Sequence, residues 1–82
     1  MAYFKELVEF GQRVKAERMQ QRIEPAGLAR LMRVPVERVY AIERGEDPAL
    51  RLTEVIAVCR ALHVPISKLV TPRSYQGTEY RH

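Results

Sequence analysis

One cysteine, no tryptophan, two phenylalanines and four glycines stand among the 82 residues of this chain, and each scarcity closes a route. A lone thiol, Cys59, forms no internal disulfide and makes no metal site by itself, so neither cross-links nor metal hold the fold. No glycine-rich phosphate loop, metal-ligand spacing, Ser-His-Asp set or Cys-His set is visible, so the chain reads as a non-enzyme without a cofactor. No apolar run approaches the roughly 18 residues of a membrane span. Nor does a secretory signal pattern open the chain, and the expectation is a cytoplasmic protein with no membrane partner.

What remains is one small, mildly basic domain. With 46% hydrophobic and 29% charged residues, a chain of this size builds a single core of marginal stability, to which a second subunit would add. Fourteen Lys and Arg face ten Asp and Glu, for a formal charge of +4. Most of the cations are arginine, the side chain that grips phosphate or guanine bidentately, which favours a polyanionic partner. The excess lies toward the ends. Between Glu24 and Arg51 the cations Arg30, Arg33, Arg38, Arg44 and Arg51 are matched by Glu24, Glu37, Glu43, Glu46 and Asp47.

Periodicity divides the chain into five helical stretches. From Tyr3 to about Gln21, Phe4, Leu7, Val8, Gly11 and Val14 recur at helical spacing among charged residues. Pro25 opens a second helix, where its missing N–H does no harm, and Glu24 before it is placed to accept from the free N–H groups of the first turn. Leu28, Leu31 and Met32 share one face of that helix, and Val39 and Ile42, with Val36 in part, share one face of a third ending at Gly45. Apolar Val34 lies in the turn between them, and a buried residue in so short a turn suits two helices crossing steeply over one core. Pro35 holds Val34 extended and resets the chain direction, a device repeated at Val64-Pro65 before a last short helix, Ile66 to Val70. Between them, after a polar loop Glu46 to Arg51, the stripe Leu52, Val55, Ile56, Cys59 and Leu62 reads as core, with Cys59 as a small buried hydrophobe. His63 follows as a cap for the carbonyl end of the fourth helix. Beyond Thr71 apolar periodicity ceases. Residues 1–70 are therefore read as the domain, with an extended first helix, and 71–82 as a flexible tail.

Phe10-Gly11-Gln12-Arg13-Val14-Lys15, Arg18, Ile23, Leu28-Ala29, Val34, Val39, Ile42-Glu43-Arg44-Gly45 and Arg60-Ala61-Leu62-His63-Val64 together resemble the Cro/cI-type (Xre-like) helix-turn-helix domains. The resemblance covers roughly residues 10 to 70. It implies an all-α, compact five-helix, lambda-repressor-like fold and a cytoplasmic, nucleoid-associated regulator, most simply a repressor, that binds an inverted-repeat operator on double-stranded DNA as a homodimer. Carried over position by position, Val36, Glu37, Arg38 and Ala41 become base readers, with Arg38 able to donate twice to guanine. Arg30, Arg33, Tyr40 and Arg44 become phosphate contacts, and Arg18 with Glu43 becomes a structural ion pair. Val58, Val64, Ile66 and Val70 are candidates for the dimer surface. Where the family places glutamine or serine at the start of the second helix this chain has Glu24 and Pro25, and Arg22 and Arg33 replace common glycines. These departures keep a second reading open, in which the scaffold binds another regulatory protein as an antirepressor or antitoxin.

Overall fold

The computed structural model describes the backbone of residues 2–70 and the side chains from Lys5 to Val70, so the reading of 71–82 as a tail lies outside the described residues. The five helices are α1 (Ala2–Gln20), α2 (Pro25–Met32), α3 (Val36–Arg44), α4 (Leu52–Leu62) and α5 (Ile66–Leu69), and no strand occurs among the described residues. Pro25 starts α2 as expected, but Glu24 makes no side-chain cap bond. Only its carbonyl takes part, accepting from the Leu28 N–H at 3.0 Å.

Four helix ends share one device. At each, an N–H reaches back five residues to a helix carbonyl: Ile23 to Arg18, Val34 to Ala29, Glu46 to Ala41 and Val64 to Cys59, at 3.0–3.2 Å. The residue before each donor is left-handed: Arg22 (φ 60°), Arg33 (φ 61°), Gly45 (φ 68°) and His63 (φ 58°). Three of these are not glycine. In those three the donor is an aliphatic residue, Ile23, Val34 or Val64, half-buried against the core. That apolar anchor and the recovered carbonyl bonds offset the steric cost that a Cβ meets in the left-handed region. His63 thus caps α4 through its backbone conformation.

The core is drawn from every helix. Phe10 and Val14 of α1, Leu28, Ala29 and Met32 of α2, Val39 and Ile42 of α3, Val58 and Leu62 of α4 and Leu69 of α5 are buried. Helix α3 packs on α1 and α2, while α4 packs chiefly on α2. The contact between α1 and α3 is a backbone contact. A Cβ built on Gly11 would stand 2.6 Å from the Glu43 carbonyl oxygen and closer still to that of Ile42. Likewise a Cβ on Gly45 would lie 2.6 Å from the Val8 Cα. The C-terminal end of α3 is therefore seated directly on α1 by two glycines, which fixes α3 against the body of the domain.

Three expectations about packing are corrected. Leu31, expected to share the buried face of α2, is 58% exposed. On α4 the buried positions are Val58 and Leu62, while Leu52 and Ile56 of the expected core stripe are exposed and Cys59 is only half-buried. Val58, expected on a dimer surface, has no exposure at all. Helix α4 is apolar around most of its circumference, so spacing alone selected a face rotated from the one that packs.

Candidate nucleic-acid interface

Arg18 and Glu43 form the connection between α1 and α3 that the resemblance implied. The guanidinium donates through Nε to Glu43 Oε2 at 2.7 Å and through Nη2 to Oε1 at 3.1 Å. Its Nη1 donates to the Ile23 carbonyl at 2.8 Å, satisfying a third direction. Both side chains are almost wholly buried, at 9% and 6% exposure. The hydrogen bond to Glu43 holds the Arg18 pKa above even the usual arginine value, so the guanidinium stays charged in its buried place. Neither group is available to a ligand.

On the opposite side α3 presents its first two turns. Glu37 is exposed and Val36 and Ala41 are half-buried, so these three expected readers share an accessible stretch at the start of the helix. Tyr40 is 43% exposed. Arg44, at the end, is more than half exposed and makes a surface ion pair with Glu46 at 3.0 Å, a type that contributes little and gives way easily. Arg30 on α2 and Arg33 in the turn are exposed and have no ion-pair partner among the described residues.

Arg38 departs from its expected role. Its Nε donates to Glu54 Oε2 at 2.9 Å and its Nη2 to Glu54 Oε1 at 2.6 Å. Its Nη1 donates to Asp47 Oδ2 at 2.6 Å. Both carboxylates are themselves anchored by backbone: the Ala49 N–H donates to Asp47 Oδ1 at 2.8 Å and the Arg51 N–H to Glu54 Oε1 at 3.2 Å. Arg38 thus joins α3, the loop after it and the first turn of α4. The residue read from sequence as a free bidentate donor is already engaged on both edges. Its partners lie 9 and 16 residues away, beyond any helical spacing, so no periodic signal pointed to them.

The Ala49 N–H and then Arg38 hold the Asp47 carboxyl below the usual carboxylate range. A depressed folded-state value means that this carboxylate favours the folded loop above its unfolded pKa. That preference is lost as the pH falls through the lower folded value. Carboxyl-carbon NMR across an acid titration is expected to place the Asp47 midpoint below that of a peptide aspartate. In Arg38→Met the midpoint rises but stays depressed, because the Ala49 N–H remains.

A second exposed surface is apolar. Leu52, Ile56, Cys59, Val64 and Ile66 line a shallow groove of about 590 Å³ bounded by Arg60 and His63. Burial pushes the Cys59 thiol pKa up, which makes it a poor nucleophile. Among the described residues no group of His, Cys, Asp and Glu could hold a metal, and no helix is long and apolar enough to cross a membrane.

Residues 9–69 match the family model described as a helix-turn-helix domain. Among solved structures, the restriction-modification controller protein C.AhdI from Aeromonas hydrophila is similar at 28% identity, over 79% of this chain and 97% of that one, with a TM-score of 0.74. Hydroxypropylphosphonic acid epoxidase from S. wedmorenis is similar at 31% identity over 82% of this chain, with a TM-score of 0.75. This chain spans only 35% of that one. The substrate complex of cobalt(II) HppE gives 31% identity over 79% of this chain and 36% of that chain, with a TM-score of 0.73. No curated protein matches the chain.

Proposed function

The chain belongs to the family of helix-turn-helix domains, and on that premise we propose that it is a DNA-binding regulator that reads an inverted-repeat operator as a homodimer through α3. The observation that carries this reading is the accessible start of α3, braced from behind by two glycines and a buried ion pair and flanked by exposed Arg30, Arg33 and Arg44. Val36 suits contact with a thymine methyl, Glu37 accepts from cytosine N4, and Ala41 permits close approach to a base edge. Arg30, Arg33, Tyr40 and Arg44, all exposed, are the candidates to grip phosphates, contacts that position the helix without carrying sequence information. A controller protein as a neighbour over nearly its whole length supports regulation, and repression in a cytoplasmic, nucleoid-associated setting is its simplest form. The epoxidase chains are covered over only about a third of their length, so their catalysis does not transfer to this domain.

Dimerisation is assigned to the apolar surface of α4 and α5. Leu52 and Ile56 are 67% and 41% exposed and Ile66 is 47% exposed, a concentration of large apolar side chains suited to a second copy. Val58 is buried and Val70 lines a separate groove with Leu7, Phe10 and Leu50, while Val64 is retained on this face. Two copies joined there would set their readers about one helical turn apart on the duplex.

Selection of sites from random duplex DNA at near-physiological salt tests the proposal. The expected result is enrichment of an inverted repeat, with preference at one base position relaxed in Glu37→Ala. Salt-sensitive binding with no enriched sequence, or no binding, would reject the operator reading and favour the use of this scaffold for binding another protein.

A further inference from the structure

The three hydrogen bonds of Arg38 have a consequence for recognition. To offer a guanine its Nε and Nη2 edge the guanidinium would have to leave Glu54, and to swing out toward a phosphate it would have to leave Asp47 as well. Either departure strands a carboxylate that the backbone holds in place through the Ala49 or Arg51 N–H. A stranded anion beside an approaching polyanion is repelled, so DNA itself penalises the release. The cluster is also short of positive charge: Arg38 bonds both carboxylates and Arg51 acts on Asp47 from nearby, against Asp47, Glu54 and the Glu37 in the first turn of the same helix.

We propose that Asp47 and Glu54 withhold Arg38 from DNA, so that Arg38 is a positioning residue that sets α3 against the first turn of α4 while base selection falls to Val36, Glu37 and Ala41. This rests on the DNA-reading function above and narrows it. The carboxylates thereby shape specificity by silencing the arginine in the first turn of α3, which would otherwise favour guanine. Geometry explains why two acids are used. Glu54 takes the Nε and Nη2 edge and Asp47 takes Nη1, so three of the five N–H donors are engaged and the two that remain, one on each Nη, sit beside two carboxylates that repel an incoming phosphate or base acceptor.

The test uses the full chain, its Arg38→Met variant and a double variant, Asp47→Asn with Glu54→Gln, that keeps side-chain shape and drops two charges. In the unaltered protein without DNA, the Arg38 Nε–H NMR signal is expected to exchange slowly with solvent and to shift little when the selected duplex is added. Arg38→Met is expected to select the same consensus as the unaltered protein, with affinity lowered no more than about tenfold as the loop loosens. The double variant frees Arg38. It is expected to gain a preference for guanine at one position of the selected site that the unaltered protein lacks, and no gain there would count against the proposal. Loss of preference at a single base pair in Arg38→Met, or a large DNA-induced shift of the Nε–H signal, would overturn the proposal. So would a fast-exchanging Nε–H in the free protein, a result independent of DNA. Failure of the unaltered protein to enrich any sequence would instead overturn the DNA-reading function while leaving the exchange measurement to decide the state of Arg38.

Discussion

Arg18→Ala is expected to lower unfolding free energy by about 3–5 kcal/mol, because it leaves Glu43 charged and enclosed without a partner. A chain of this length has only about 4–12 kcal/mol to lose. The substitution would therefore remove a large share of the fold's stability. The magnitude follows from burial: at 9% and 6% exposure neither side chain can exchange its partner for water. The same truncation at the exposed Arg44–Glu46 pair should cost no more than about 1 kcal/mol. Arg18→Ala also orphans the Ile23 carbonyl, which receives the Nη1 donor at 2.8 Å. Replacing both partners, Arg18→Met with Glu43→Leu, is expected to be milder than either single truncation, since no buried charge is stranded. Urea denaturation of the four proteins measures this directly. Single variants within about 1 kcal/mol of the parent would show the pair to be dispensable.

The second large effect concerns Gly11, where two principles oppose each other. Alanine in place of a mid-helix glycine favours the helix by about 1 kcal/mol. At Gly11, however, the new Cβ would meet the Glu43 carbonyl oxygen at 2.6 Å and the Ile42 carbonyl more closely. These are backbone atoms, which cannot turn aside as a flexible side chain does. Crowding costs about 1–3 kcal/mol in a packed core and here falls at the upper end, so Gly11→Ala is expected to be destabilising by about 2 kcal/mol net. It should also displace Glu43 and weaken its pair with Arg18. Gly27→Ala is the control. Its Cβ would meet only the Ile23 Cγ2 at 3.3 Å, so the helix preference wins and stability rises by up to about 1 kcal/mol. Opposite signs for the two substitutions in thermal unfolding would verify the close seating of α3 on α1, whereas a stabilising Gly11→Ala would refute it.

These effects also mark how far the sequence could be read. The apolar spacing of Leu28, Val39 and Ile42 led to two short helices over one core, and all three are buried. Gly11 looked like one more small residue on an apolar face. Its importance depends on a crossing between helices more than thirty residues apart, which no local pattern encodes. The stripe on α4 misled for a related reason: Leu52, Val55, Ile56, Val58 and Cys59 cover several faces, and only the position of α2 decides that Val58 packs inward while Leu52 and Ile56 do not. Rules for helix ends would have put glycine at positions 22, 33 and 63, yet arginine, arginine and histidine adopt the left-handed conformation there because an aliphatic residue next in line secures each turn. In the candidate site, accessibility of Glu37 followed from excluding the buried positions of α3. The engagement of Arg38 did not, because Asp47 and Glu54 reach it only after the loop has folded.

That α3 is the element presented to DNA is tested most directly by recording backbone amide chemical shifts of the full chain while a selected duplex is added at near-physiological salt. The expected changes centre on Val36 to Arg44, with smaller ones at Arg30 and Arg33 and little at Val58 or Leu62 in the core. Changes confined to the surface of Leu52, Ile56 and Ile66, or none at any ratio of DNA to protein, would contradict it.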